Sequence, residues 1–388
     1  MIPTRASALA RWQEFLPRAT QYTWERNYVR EGHESVTRLS AAVRVRLVSE
    51  HELAQQALEQ FGFEVVEKIV QEIYWRLYWK GWLEHRSSVW TNAQNLPELT
   101  ERQDELRHKV ESGESQVEVM NHWAKELVET GYLHNHVRMW FASYWVHRCG
   151  LPWQWGARFF YDHLLDADPA SNTLSWRWVA GLQTVGKTYM VRRSNIEKYT
   201  EPAWLEDRQA GLELLESEGK VEIPAETPVA AGSLKPLPSL DQVSVLSSGA
   251  WLLHEDDLSL ETVLKHGTSP KVVLALNAAH RHASARQKRY RAEALQDGLN
   301  RLSEFWQVPG VWLDQPEEVA ERLKEWPDVN ELHYVEPWIG PAKDMLEDAV
   351  AHVKLPTMAY RRNEDIKILP LAKKGFFPFW AELKKRLN

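Results

Sequence analysis

The chain has one cysteine in 388 residues. Cys149 cannot close an internal disulfide, and a zinc site built on several thiolates is excluded. No apolar run reaches the roughly 18 residues that a membrane-crossing helix needs. The opening stretch "MIPTRASALARWQEFLP" lacks the apolar core of a secretory signal. A monomer in a reducing, cytoplasmic setting, with no membrane partner, is the expectation. Excess positive charge is missing too. The formal charge is −7, which argues against a constitutive nucleic-acid coat protein but leaves room for a local basic patch. Internal repeats and low-complexity tracts are absent.

Tryptophan is abundant instead, at 20 residues, and 13 of them precede residue 180. Large aromatics fill helical cores, and most of these are expected to do so. An indole also stacks on flat ligands and carries an electron hole, so a planar cofactor enters the reading.

Up to about residue 205 the pattern is helical. "VEKIVQEIYWRLYWKGW" places apolar and aromatic residues three and four apart. "VEVMNHWAKELVETGYLHNHVRMWFASYWVHRCG" reads as two helices with a break at Thr130-Gly131. In "DADPASNTLSWRWVAG", Asp168 suits a helix cap and Pro169 the first helical position. Residues 206–243 carry the Pro, Gly and Ser of a linker. Beyond it, short buried strands ("AWLLHE", "KVVLALNA", "GVWLD", "ELHYVE", "PTMAYRR") alternate with helices, which implies a parallel sheet. The expected fold is mainly α: an all-helical domain over 1–205, then a smaller α/β, Rossmann-like domain over 244–388.

Two local patterns are decoys. "GLQTVGKT", Gly181 to Thr188, fits G-x-x-x-x-G-K-[ST], but a Trp-rich helix precedes it where a phosphate loop needs a strand. A turn leaving the helical core is expected there. His134 and His136, like His280 and His282, sit two apart without acids or thiols, and hydrogen-bonded or solvated rings are expected rather than a metal site.

The stretch "LLDADPASNTLSWRWVAGLQT" resembles the flavin-binding core of the photolyase and cryptochrome family. Three further stretches agree in order: "YTWERNYVREGHESVTRLS" with the flavin-phosphate segment, "VQEIYWRLYW" with a Glu-x-x-Trp-Arg helix, and "TGYLHNHVRMWFASYWV" with a His-Asn-x-x-Arg-Met helix. "GAWLLHEDDLSLE" and "KKGFFPFW" resemble other family segments. That family's α/β domain normally comes first, so the order here resembles a circularly permuted or shortened branch.

The resemblance implies bound FAD and a DNA substrate containing pyrimidine dimers. It assigns Tyr22, Ser35, Thr37, Arg38, Leu39, Ser40, Arg76, Asn135, Arg138, Asp166, Asp168 and Asn172 to the cofactor, with Asn172 facing the flavin N5. Hydroxyls and N–H groups at a helix start suit a diphosphate. It makes Trp176 and Trp153 the first two members of an electron relay. Thr100 falls where the third is usual, and Trp90, Trp140, Trp145 and Trp155 are candidates to replace it. Glu72, Trp75, Asn135, Met139 and Trp178 would line the dimer cavity, with Glu72 and Asn172 catalytic. Read alone, Glu72 and Arg76 would be a surface ion pair.

There are departures: Asn121 replaces an expected Asp, and His136 stands where an Arg is common. Asn172 and the unpaired "HNH" point to light-driven repair of cyclobutane pyrimidine dimers. The alternative is a cryptochrome-like photoreceptor acting through a protein partner. A flavin-free nucleic-acid-binding module would leave Arg138, Asp166 and Asp168 without a role. Whether an antenna chromophore binds the α/β domain is left open by these residues.

Overall fold

The computed structural model describes residues 1–183, 188–216, 221, 223, 226–244, 246–277 and 282–387. Thr184 to Lys187 of the "GLQTVGKT" motif, and His280, lie outside the described residues. The helices used below are, in chain order, α1 (Glu50–Phe61), α2 (Phe63–Glu84), α3 (Glu118–Thr130), α4 (Asn135–Ser143), α5 (Trp153–His163), α6 (Pro169–Val179), α7 (Ala285–Trp306) and α8 (Phe376–Leu387). The strands are β1 (Gly249–Leu253), β2 (Val272–Leu276), β3 (Gly310–Leu313), β4 (Glu331–Val335) and β5 (Thr357–Tyr360). No described helix is long and apolar enough to cross a membrane.

All five expected strands form one sheet, ordered β3-β2-β1-β4-β5. Every pairing is parallel, with Trp251 opposite Val273 on one side and His333 on the other. The sequences explain the order. β1 and β2 are continuous apolar runs buried at every position, as central parallel strands covered on both faces must be. β3 and β5 have exposed positions and form the edges.

Packing divides the chain along other lines than sequence character. One compact unit comprises 1–20, 39–87 and 230–388; the other comprises 21–38 and 88–229. The sheet therefore shares its unit with α1 and α2, which sequence character had grouped with the helical domain.

Within this first unit the sheet order changes direction between β1 and β4. Ligands of open α/β sheets ordinarily bind at the carboxyl ends of the strands at such a point. Here the chain fills it with its own charges. β1 runs directly into Glu255, Asp256 and Asp257, each at most 2% exposed. Arg44 pairs with Glu255 and Asp256, and Arg291 with Glu255. Arg362 grips Asp257 through Nε and Nη2 at 2.7 and 2.6 Å. Arg46 donates to both oxygens of Asp365 at 2.7 and 2.8 Å and to Glu50 at 3.2 Å. Asp256 also accepts the N–H of Trp338, just beyond β4, at 2.8 Å. The Trp338 ring is approached by Arg46, Lys80 and Arg361 at 5.2, 4.5 and 4.4 Å. A polar cleft of about 380 Å³ opens beside this network, lined by Arg5, His51, Glu52 and Glu364 among others, and none of the expected site residues faces it.

Burial by itself raises a carboxyl pKa, yet Asp257 and Asp365 are held below the usual range, chiefly by Arg362 and Arg46 respectively. Arg46, which burial alone would lower, is raised by Asp365 and Glu50.

The second unit is helical. α3 ends where Gly131 takes the left-handed conformation (φ 71°), confirming the break at Thr130-Gly131. A Cβ there would lie 2.7 Å from Leu165. Trp123, Trp140, Trp145 and Trp176 are fully or almost fully buried in its core, the packing role expected for most indoles.

Two outcomes follow. Arg46→Met strands Asp365 and Glu50 in a buried setting and should cost about 3–5 kcal/mol in a urea unfolding titration. The depressed carboxyls contribute stability that is present above about pH 4 and lost as pH falls below it toward their folded values. Urea midpoints measured at pH 6 and pH 3 should therefore drop more in the wild type than in an Asp365→Asn variant.

Candidate functional site

The second unit builds its site from α4, α5 and α6. α4 starts at a buried histidine: His134 accepts the N–H of His136 through Nδ1 at 3.1 Å. Burial, with His33, His136 and Arg138 nearby, pushes its pKa down to about 3, so the ring is neutral at physiological pH. His136 meets the Asn27 carbonyl at 2.9 Å. These rings are hydrogen-bonded, and no cluster of three potential metal ligands occurs among the described residues.

One turn into α4, Arg138 donates Nε to the Leu133 carbonyl (3.0 Å) and Nη1 to Asp166 Oδ2 (2.8 Å). The expected pair is present, and its acid is buried. Arg138 and Arg38 both approach the ring of Tyr132, at 6.0 and 5.7 Å. Burial, against the pull of these cations, moves the Tyr132 phenol up to about 12.

The two acids of "DAD" have separate tasks. Ala167 between them has φ +23°, a conformation an L-residue adopts only under constraint. Asp166 turns to Arg138. Asp168 caps α6, accepting the Ser171 N–H at 2.8 Å, with Pro169 at the first helical position. The sequence pattern anticipated that cap.

α6 then presents its functional candidates in turn. Asn172 donates Nδ2 to the Ala157 carbonyl of α5 at 2.8 Å, which fixes the amide plane. Trp176 is 2% exposed and packs edge-to-face on Phe160 (5.1 Å) and Trp145 (6.2 Å). Its Nε1 has no hydrogen-bond partner among the described residues. Gly156 makes room for it: a Cβ there would overlap the six-membered ring of Trp176. Trp178 stacks on Tyr189 at 5.6 Å. Trp153 opens α5, with the Arg177 guanidinium 5.8 Å from its ring. Of the four proposed third indoles, Trp145 is in ring contact with Trp176. Trp140 instead joins a row with Trp123 and Trp204, at 5.3 and 5.9 Å. Thr100 caps the helix Glu101–Glu111.

The remaining residues of this unit are more dispersed. Ser35 donates to the Tyr28 carbonyl at 2.9 Å. Arg38 has φ +57° and donates to the Gly32 carbonyl. Tyr22 and Thr37 are half-buried. Asn135 is exposed, its amide 3.9 Å from the Met139 sulfur. Asn121 spends its side chain on Ser115, accepting its N–H at 2.7 Å and donating to its carbonyl at 2.9 Å.

Five expected residues belong to the first unit, whose boundary falls between Arg38 and Leu39. The helix start expected for the diphosphate is only the five-residue Ser40–Arg44 turn, without a side-chain cap. Arg76 donates to the Ser40 carbonyl at 3.2 Å. Glu72 pairs with Lys68 at 2.9 Å. Trp75 has one face covered by Phe376, with ring centroids 3.5 Å apart and planes 6° from parallel. Sequence reasoning missed Tyr132, Gly156 and Phe376; a glycine inside the helical "WQWGARFF" was the one readable signal.

Residues 69–202 match the FAD binding domain of DNA photolyase. Over these residues the chain is similar to the photolyase/cryptochrome family. A deoxyribodipyrimidine photo-lyase of Streptomyces griseus is 30% identical over 160 residues, 40% of this chain and 35% of that protein. A cryptochrome DASH of Idiomarina loihiensis is 32% identical over 133 residues, 34% of this chain and 29% of its own. The matched part thus spans about a third of these relatives' length. A Synechocystis sp. PCC6803 cryptochrome structure aligns with a TM-score of 0.45 at 20% identity, over 50% of this chain and 43% of that one.

The donor set in this matched stretch fits FAD. Trp176 keeps a buried N–H unspent, Asn172 has its carbonyl oxygen to offer, and the Arg138–Asp166 pair supplies a fixed, neutralised dipole. Gly156→Ala should displace Trp176 or cost about 1–3 kcal/mol; a shifted tryptophan emission maximum or a lowered urea midpoint reads the change.

Proposed function

We propose that this chain repairs cyclobutane pyrimidine dimers in DNA under blue light with FAD as cofactor. When bound, reduced and excited FAD would lend the electron that splits the dimer and take it back from the products. Arg138, Asp166, Asp168 and Asn172 would hold it, with contributions from Tyr22, Ser35, Thr37, Arg38, Leu39, Ser40, Arg76 and Asn135. The observation that carries the reading is Asn172. Its amide is locked by the Ala157 carbonyl, so it presents a group that neither ionises nor reorients. A carboxylate at this position would titrate and change the local charge; an amide does not.

The other residues divide between placement and polarity. Arg138 pairs with Asp166 at 2.8 Å, so the acid is not left as a bare buried charge. Trp176 and Trp153 are buried, oxidisable rings on adjoining helices. Glu72 would hydrogen-bond the dimer. Trp75, Trp178, Asn135 and Met139 would wall it, and a flipped dimer costs less to extrude because it stacks poorly.

A photoreceptor reading is favoured by one feature, Asn121. With its amide committed to Ser115, that position has no carboxylate to offer a substrate.

Protein purified in darkness should show flavin absorbance. With a thymine-dimer oligonucleotide and a reductant, blue light should restore thymine absorbance. Bound flavin that photoreduces without thymine recovery would transfer the assignment to a photoreceptor, and absence of flavin would end both readings. Asn172→Asp should retain flavin while repair falls at least about tenfold. Glu72→Gln should lower repair about 10- to 100-fold, the scale of one positioned polar group, without loss of flavin.

A further inference from the structure

The chain's C-terminal segment lies on an aromatic stripe of α2. Trp75, Trp79 and Trp82, with Arg86 just past the helix end, recur at steps of four and three and so share one face. All four are half-buried. Trp75 and Trp79 have centroids 5.2 Å apart, and the Arg86 guanidinium lies 4.3 Å over Trp82.

The segment is held in place by specific contacts. Gly81 lets it approach: a Cβ there would stand 2.8 Å from that of Ala372. Arg86 donates to the Lys373 carbonyl at 2.8 Å, and the Tyr78 hydroxyl to the Lys374 carbonyl at 3.0 Å. Phe376 then stacks flat on Trp75, which fixes the indole, and Trp75 stays partly exposed. The next residue, Phe377, is 74% exposed, the largest exposure of any described large hydrophobic residue. Lys373 and Lys374 are exposed beside it. Of the acids of α2, Glu72 pairs with Lys68, Glu84 accepts the Ile339 N–H at 2.9 Å, and Glu67 pairs with Lys384 of α8 at 2.9 Å.

An immobilised indole, an exposed phenyl ring and three cations on one short surface match what an unpaired strand requires. Its bases stack on aromatic faces and its phosphates seek positive charge. We propose that Lys373–Phe377 and the Trp75–Arg86 stripe form a contact surface for single-stranded nucleic acid. Trp75 and Phe377 take bases; Lys373, Lys374 and Arg86 take phosphates; Phe376 is the positioning residue behind Trp75. The inference rests on the repair reading for its choice of partner, and it adds residues that reading does not use.

Binding of the full chain to fluorescein-labelled, undamaged oligo-dT, followed in darkness by anisotropy between about 50 and 200 mM salt, tests it. Phe377→Ala should weaken binding about tenfold, the scale of one lost stacking contact. The double variant Lys373→Gln/Lys374→Gln should flatten the log–log salt slope by about 1.4, at about 0.7 per phosphate. Lys324→Gln, an exposed site on another helix, should change neither, and thermal unfolding should be the same for all. Variants that keep wild-type affinity and slope, or a wild type that does not bind oligo-dT, overturn the proposal. Dimer repair assayed on the same proteins separates the two readings. Oligo-dT binding that depends on these residues without any repair removes the repair reading alone. Repair by the wild type with binding indifferent to these residues removes the contact surface alone.

Discussion

Arg46 is the constraint on which the first unit depends. Its guanidinium is buried against Asp365, Glu50 and Asp257 and faces Trp338. A charge in that position is tolerable only if every partner arrives in register. The residues involved come from the turn before α1, the end of β1, the segment beyond β4 and the one beyond β5. One side chain thus ties the helices from the first hundred residues to the sheet from the last hundred and fifty. The same network occupies the crevice at the β1–β4 switch point. The sheet's usual ligand position is given over to cohesion, and the polar cleft beside it is lined by paired charges.

The second unit solves a different problem, that of keeping large aromatic rings close without jamming them. Trp176 reaches Phe160 and Trp145 because Gly156 has no side chain to obstruct it. The "DAD" turn sends one acid to Arg138 and the other to the α6 N-terminus. The amide of Asn172 and the unspent N–H of Trp176 are left on one helix, one turn apart. Packing and chemistry share residues here, so each functional candidate is held by a structural contact of its own.

Much of this was legible in the sequence. Apolar runs such as "KVVLALNA" could only be buried parallel strands, and the Asp168–Pro169 start of α6 was written in capping chemistry. The Arg138–Asp166 pair followed from family motifs and is present. What was not legible depends on contacts between distant segments. "RVRLV" and "HEDD" each look like ordinary charged stretches, and only the fold reveals that they neutralise one another. The Phe376–Trp75 stack was hidden for the same reason. Sequence character also carried no sign that 1–20 and 39–87 group with 230–388, because amphipathic helices look alike whichever core they cover.

The separation of Arg46 from Asp365 is 319 residues. At a synthesis rate of about 5–20 residues per second, Arg46 leaves the ribosome roughly 15–60 seconds before its principal counter-charge exists. Residues 88–229 are complete well before then. The chain is therefore made with its second unit ready to condense first, while α1 and α2 wait, amphipathic and unburied, for a sheet still to be translated.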